Sequence, residues 1–393
     1  MLMVLFSRHS ERLSRQSEGR ARNLLLAAVA GAAALAGCGS SAAPASAPAS
    51  PSAPAASKPA VSAPASASAA SAAASAAAKP SGSPAASGQA TLKVAHAPST
   101  LFAPLYVAID KGYLRAQGIE VDLTTVTAGQ DAQAFLASGQ LDASVAGMSV
   151  ATFNAINQGL DVRIVGSMGV APSNADPSAL MVRSDELQSG AIKGIADLKG
   201  KKIASSGGIG ATGSYYLAQT LARANLTLKD VDVVNMAFPD MVAAFKGKSI
   251  DAGIPPAPFT TEILKDGSAQ VPDFGHLTPG VSGTGTIYGA HLLRQDRALG
   301  QKFFNGLVRG AADVMGDKAR DLQNLDILSK ATKLPVDTLK TMALYDYKAD
   351  LAPDTATYEN MQKVFIDAGV LKLPAPLPAD KTVDGAFSQA AKG

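Results

Sequence analysis

The sequence predicts an α/β fold of two domains with largely parallel sheets, and three observations carry that expectation. Strand-like and helix-like patterns alternate through roughly the last 300 residues, as they do where helices cover parallel strands. One strand–loop–helix stands out at residues 201–219. There a glycine-rich turn separates Lys201-Lys202-Ile203-Ala204 from a helix with Leu217, Leu221, Ala222 and Ala224 at helical spacing. Residues 134–143 recur in weaker form at 244–252, each copy a helix ending near a glycine before a strand that starts at Asp-Ala. Matching the two Ala-Phe pairs leaves one residue fewer in the second copy. Two similar lobes explain the repeat, chance similarity in an alanine-rich chain being the competing explanation. Roughly 300 residues suffice for two domains of ordinary size.

The chain begins with an address. Arg8, Arg12, Arg15, Arg20 and Arg22 precede an apolar run over 24–35 that ends Leu35-Ala36-Gly37-Cys38. A run of about a dozen residues suits a signal peptide and is too short for a membrane span of roughly 20. The ending resembles the bacterial lipobox, so residues 1–38 read as a lipoprotein signal peptide with Cys38 as the lipidated residue. The competing reading is an ordinary signal peptide with an incidental cysteine. Cys38 is the only cysteine, which excludes disulfides, thiolate metal sites and a cysteine nucleophile in the rest of the chain. Residues 1–38 hold five arginines and two glutamates; without them, 30 basic residues face 30 acidic ones. No nucleic-acid partner is expected from that balance. Residues 39–90 are almost all Ala, Ser and Pro, a composition that cannot bury a core and reads as a disordered tether or solubilising spacer.

The folded part opens on a strand, Thr91-Leu92-Lys93-Val94-Ala95-His96, followed by a loop over 97–102 and a helix carrying Tyr106, Ile109 and Leu114. Ile119, Val121 and Leu123 alternate with polar residues, a half-buried strand. Further strands are expected over 142–147, 179–182, 201–204, 231–236 and 286–289. A late helix with Phe303, Phe304, Leu307, Val308, Ala311 and Ala312 reads as core.

The glycine loop 205–213 admits three readings. Gly208, Gly210 and Gly213 spell G-x-G-x-x-G after a strand, the dinucleotide fingerprint. That fingerprint wants an acid closing the next strand, where Asn235 stands instead. A plain βα turn is the second reading. The third is a cradle for an anion or polar ligand at the helix start, where orphan amides and the helix dipole favour negative charge. No Lys-Ser/Thr pair follows, which excludes a nucleotide P-loop.

Phe102-Ala103-Pro104-Leu105-Tyr106-Val107-Ala108-Ile109-Asp110-Lys111-Gly112-Tyr113-Leu114 resembles the opening of solute-binding proteins of ABC importers. The branch is the one that binds sulfonates, taurine, nitrate and thiamine-pyrimidine precursors. Gly118-Ile119-Glu120-Val121, Gly139-Gln140-Leu141-Asp142-Ala143, residues 195–203 and Gly247-Lys248-Ser249-Ile250-Asp251-Ala252 fit the same pattern in the same order. The resemblance implies a periplasmic-binding-protein-like fold: two lobes, two hinge crossings, a ligand cleft between them and C-terminal helices. One lobe would hold 91–180 and 285–393, the other 181–284, with strands 179–182 and 286–289 as the crossings. It further implies capture of a small anionic or zwitterionic ligand, sulfonate-like by preference, or nitrate or a pyrimidine precursor. Hinge closure would then hand that ligand to an ABC permease and its ATPase. The protein would be a monomer outside the cytoplasm, held to the membrane by its lipid alone, without cofactor or metal.

Ligands in such sheets bind where strands deliver their carboxyl ends. Ser99, Thr100 and Phe102, then Gly129 and Gln130, then Met148 and Ser149 would line one side. Ser205, Ser206, Gly207, Gly208, Gly210, Ala211 and Thr212 would face them, with Pro239 and Asp240 beyond. One stretch departs from the family: Ile254-Pro255-Pro256-Ala257-Pro258 keeps a proline, but Pro256 and Ala257 replace the usual aromatic and acid. Catalysis finds little support. His96, His276 and His291 lack metal-ligand spacing, no G-x-S-x-G elbow occurs, and the cysteine-rich iron motif of pyrimidine-synthesising relatives is missing. The alternative function is an exported dinucleotide-binding oxidoreductase built on Gly208, Gly210 and Gly213.

Overall fold

The computed structural model describes residues 89–126 and 129–391. The expected signal peptide, Cys38 and nearly all of the 39–90 tether lie outside the described residues. Among the described residues, ten strands form two five-stranded sheets. They are β1 (Ala90–His96), β2 (Ile119–Thr125), β3 (Ala143–Gly147), β4 (Arg163–Ser167), β5 (Met181–Arg183), β6 (Lys202–Ser205), β7 (Asp232–Asn235), β8 (Ala252–Gly253), β9 (Ala269–Gln270) and β10 (Thr284–Tyr288). The first sheet runs β2-β1-β3-β10-β4 and the second β7-β6-β8-β5-β9. In each, the fourth strand alone is antiparallel to its neighbours, so both lobes share one topology.

The expected crossing at 286–289 is not a crossing. It belongs to β10, a wholly buried strand hydrogen-bonded to β3 on one edge and β4 on the other. The reason is backbone accounting: a strand buried on both faces needs partners along both edges. Residues 181–183 likewise pair on both sides as β5. The chain passes between the sheets in the irregular segments 168–180 and 271–283. These two segments touch each other, with Ala179 bridged to His276, Leu180 N–H donating to Gly275 O, and Gly280 N–H to Ala171 O.

The internal repeat has a structural basis. The helices are α1 (Ala103–Asp110), α2 (Gln133–Ala137), α3 (Val150–Asn157), α4 (Ser184–Ser189), α5 (Thr212–Ala222), α6 (Phe238–Lys246), α7 (Phe259–Asp266), α8 (Arg297–Ala312), α9 (Leu322–Thr332), α10 (Val336–Thr341) and α11 (Thr355–Asp367). Helices α2 and α6 lead into topologically equivalent strands, β3 and β8. Asp142 Oδ2 accepts the Lys93 N–H at 2.7 Å, and Asp251 Oδ2 accepts the Lys202 N–H at 2.9 Å. Each carboxylate thus hydrogen-bonds the backbone of the strand beside its own, β1 or β6, which hold equivalent places in the two sheets. The copies align without a gap: Gly139 and Lys248 both have positive φ, and Leu136 and Phe245 are both buried one turn before them. The one-residue difference read from the sequence came from matching Phe135 to Phe245. Asp142→Ala and Asp251→Ala should each cost about 1–2 kcal/mol of stability, measured by urea unfolding. Asp142→Ala should cost more, because the second partner of Asp142, His291 at 2.6 Å, is closer than that of Asp251, Arg183 at 3.7 Å.

Three clusters of buried side chains hold this together, one of them packing Met241 and Phe245 of α6 and Ile263 of α7 with Met181 and Ala204 of the second sheet. Leu105 of α1, Phe303 and Phe304 of α8 and Leu328 of α9 pack with Leu92, Val145 and Tyr288 of the first sheet. Ala312 is exposed at the end of α8. Another cluster spans both sheets, joining Phe153 and Ile287 to Ile203, Tyr215 and Leu217, and to Tyr358, Met361 and Phe365 of α11. Helix α11 therefore packs against both lobes, and its Asn360 donates to the Tyr215 hydroxyl. In α5, Leu217 and Leu221 are buried, while Ala222 is exposed and Ala224 lies past its end. β2 is an edge strand, and only Ile119 in it is fully buried.

Candidate functional site

A cavity of about 100 Å³ lies between the sheets, at the carboxyl ends of β1, β3 and β6. A water takes roughly 10–15 Å³ on this scale, so the cavity has room for a small organic molecule. From the first lobe it is lined by Ala97, Ser99, Leu101 and Phe102 after β1, by Gly129 and Gln130, and by Met148 and Ser149 after β3. The second lobe contributes Ser206, Ala211, Thr212, Tyr216, Phe238, Ile254 and Pro256. Ser178 of the first crossing and Thr284 of β10 add to the wall, as do Ala146, Gly147 and Gly213. The lining is mostly apolar, its polar groups are hydroxyls and one amide, and no Lys, Arg, His, Asp or Glu is among them.

Of the residues expected from the sequence, Ser99, Phe102, Gly129, Gln130, Met148, Ser149, Ser206, Ala211 and Thr212 come together here. The others are placed elsewhere. Thr100 is buried beneath, its carbonyl accepting from the Tyr347 hydroxyl at 2.7 Å. Ser205 ends β6 under α5, where a Cβ on Gly213 would sit 2.7 Å from its Oγ. Pro239 and Asp240 are exposed in the first turn of α6, and it is Phe238 that reaches the cavity.

Gly207, Gly208 and Gly210 also miss the cavity, for reasons visible in the loop. Gly207 and Gly208 have φ of 84° and 69°, the left-handed region glycine occupies without strain. The Gly207 N–H donates to Asn235 Oδ1, and Ala211 N–H and Ser214 Oγ both donate to Gly208 O. The loop spends these groups on itself. Asn235, standing where a dinucleotide fold needs its ribose-binding acid, serves as a brace for the loop. Gly210 packs across the cleft on Val150, whose Cγ2 would lie 2.8 Å from an added Cβ.

The two walls are in direct contact around the cavity. Thr212 Oγ1 is shared between Met148 O at 3.0 Å and Gly283 O at 2.8 Å. Gly283 N–H donates to the Tyr216 hydroxyl at 2.9 Å, and Ser149 bridges to Ala211. Ser99 Oγ donates to Ala257 O at 2.9 Å. The departure at residues 255–258 therefore supplies a backbone acceptor and the apolar ring of Pro256 in place of an aromatic–acid pair. His96 does not line the cavity. Burial lowers its pKa, leaving it neutral at neutral pH, with Nδ1 2.9 Å from the Tyr106 hydroxyl.

Sequence reasoning missed Tyr216, Phe238, Ser178, Pro256 and Thr284. Tyr216 falls inside the helix expected after the glycine loop, Phe238 stands just before the expected Pro239, and neither they nor Ser178 carry a motif. Thr284 starts the strand that was expected to begin two residues later as a crossing.

Comparison with known proteins agrees with this architecture. Residues 99–274 match the family described as NMT1/THI5 like. The riboflavin-binding protein RibY of Chloroflexus aurantiacus is 30% identical over 244 residues, which cover 60% of this chain and 65% of that protein. The chain thus spans about two-thirds of the curated relative it matches. Among solved structures, the alkanesulfonate-binding protein SsuA from Xanthomonas axonopodis pv. citri, bound to MOPS, superposes with a TM-score of 0.60 at 20% identity, over 76% of this chain and 99% of that one. The periplasmic nitrate-binding protein NrtA from Synechocystis PCC 6803 gives 0.58 at 15% identity, over 76% and 87%. Residues 99–274 are thus similar to the NMT1/THI5-like family, and the chain has the two-lobed α/β fold seen in these binding-protein structures.

Proposed function

We propose that this protein is the extracytoplasmic solute-binding component of an ABC importer, a monomer anchored by lipid at Cys38. The observation that carries the reading is the cavity itself, enclosed by both lobes and flanked by the two segments that join them. Clefts of this kind bind small ligands, and hinge motion opens and closes them. Ligand that touches both walls favours the closed form, whose shape the permease and its ATPase would read. No bond is made or broken, and no cofactor is called for.

The ligand fits as a small molecule with an apolar body and an oxygen-bearing head. Leu101, Phe102, Met148, Phe238, Ile254 and Pro256 would cover the body. The starts of α3 and α5 meet beside the cavity through Ser149 and Ala211, and helix starts favour an anionic head. A sulfonate-like head is favoured, with a pyrimidine precursor next. Nitrate has no apolar part to cover those side chains and, with no basic residue lining the cavity, ranks last.

Thermal melting against alkanesulfonates, taurine, nitrate, pyrimidine precursors and riboflavin tests this. A ligand at 100 times its Kd should stabilise by about 2.7 kcal/mol; a midpoint unmoved by the whole panel sinks the reading. The anchor is tested separately. Cys38→Ser should move the protein from the membrane to the soluble fraction, and unchanged membrane association would remove the lipid from the account.

A further inference from the structure

The hydroxyls around the cavity divide into two groups. Ser99 donates to Ala257 O, Ser149 Oγ lies 3.3 Å from Thr152 Oγ1, Ser178 bonds the Tyr345 hydroxyl, Thr212 spans Met148 O and Gly283 O, and the Tyr216 hydroxyl accepts from Gly283 N–H. Among the described residues, Ser206 Oγ and Thr284 Oγ1 have no partner, although the two residues are only 8% and 5% exposed. One comes from each lobe, Ser206 from the end of β6 and Thr284 from β10. The backbone at Thr284 is held firmly, its carbonyl accepting from Met168 N–H, Ser282 Oγ and Tyr358 OH. A buried hydroxyl without a partner carries an uncompensated desolvation cost.

We infer that Ser206 and Thr284 are the specificity-determining pair of this cavity, together donating to one oxygen-bearing head group of the ligand from opposite lobes. The inference rests on the solute-binding reading of the site. Closure without ligand leaves both hydroxyls stranded; closure around an acceptor oxygen satisfies both. The pair thereby ties recognition to lobe closure. A sulfonate oxygen and a neutral ring carbonyl share the acceptor chemistry required, and the choice between them is an outcome of the test.

Thr284→Val and Ser206→Ala remove the hydroxyls with little change of shape. Each should weaken binding of the panel compound that stabilises the wild type by about tenfold, equal to about 1.4 kcal/mol. Each should also leave the ligand-free melting midpoint no lower than wild type, and Thr284→Val should raise it. A hydroxyl that only supports the fold, or is satisfied by an internal water, would instead show a lower ligand-free midpoint; that result overturns the inference. Ethanesulfonate and uracil form the two arms, and a loss confined to one identifies the head group. Wild-type affinity retained in both variants overturns the pair while leaving the solute-binding reading intact. A wild type that binds nothing on the panel removes that reading, and the inference with it.

Discussion

Gly283→Ala should prop the cleft open and weaken ligand capture by roughly 5- to 100-fold. Gly283 ends the second crossing, immediately before β10, and α5 of the other lobe closes directly onto it. A Cβ there would lie 2.5 Å from Thr212 Cγ2 and 3.1 Å from the Tyr216 hydroxyl oxygen. Thr212 cannot swing aside without giving up its bonds to Met148 O and Gly283 O. Overpacking of this kind costs about 1–3 kcal/mol. Because the clash exists only where the lobes meet, the closed form bears the cost and the open form escapes it. A tenfold change in population follows from each 1.4 kcal/mol, and apparent affinity falls with the closed fraction. Small-angle scattering of the ligand-free protein should show a larger radius of gyration in the variant. Gly147→Ala should act the same way, since its Cβ would sit 2.7 Å from Thr212 Oγ1. Unchanged affinity and radius in both variants would mean that Thr212 is not pressed against this wall in solution.

Phe304→Ala should destabilise the protein by about 3–5 kcal/mol, the usual cost of emptying a fully buried phenylalanine site. Phe304 of α8 is wholly buried, with its ring against Gly166 of β4, where a Cβ would lie 2.6 Å from Phe304 Cε2. Phe387 stands on another side with ring centroids 6.4 Å apart. Glycine on the strand leaves a hollow that the ring fills, so the surroundings have little freedom to collapse when the ring is removed. Urea unfolding should show a lower midpoint with an unchanged slope. A loss below about 1 kcal/mol would mean that α8 can settle onto the sheet without this ring. Because Phe304 is remote from the cavity lining, ligand affinity measured well below the unfolding midpoint should stay at the wild-type value.

These two residues mark where the sequence is readable and where it is not. Phe304 was legible because apolar helical spacing over 303–311 states which face of a helix is buried, whatever it is buried against. The strand alternation, the glycine-rich turn after β6 and the Asp-Ala repeat were legible for the same reason: each is local, and local periodicity is set by backbone geometry. The cavity was partly legible, because strand ends in parallel sheets converge, and this located Ser99, Met148, Ser206 and Thr212. The glycine loop shows the limit of that rule. Its motif told of a tight turn, but Asn235, 28 residues beyond Gly207, claims the amide a ligand would need.

By itself the sequence determined the α/β class and several of the residues available to a ligand, and its weak repeat pointed to two similar lobes, since these depend on periodicity and on residue types close in the chain. Tertiary structure alone decided that 284–288 is an interior strand, that Thr212 joins the lobes, and that the Ser206 and Thr284 hydroxyls are left without partners among the described residues. Those outcomes are set by which backbone groups from distant segments find each other in the folded chain, and pairings across 64 to 71 residues, such as Thr212 with Met148 and Gly283, leave no periodic trace in the sequence.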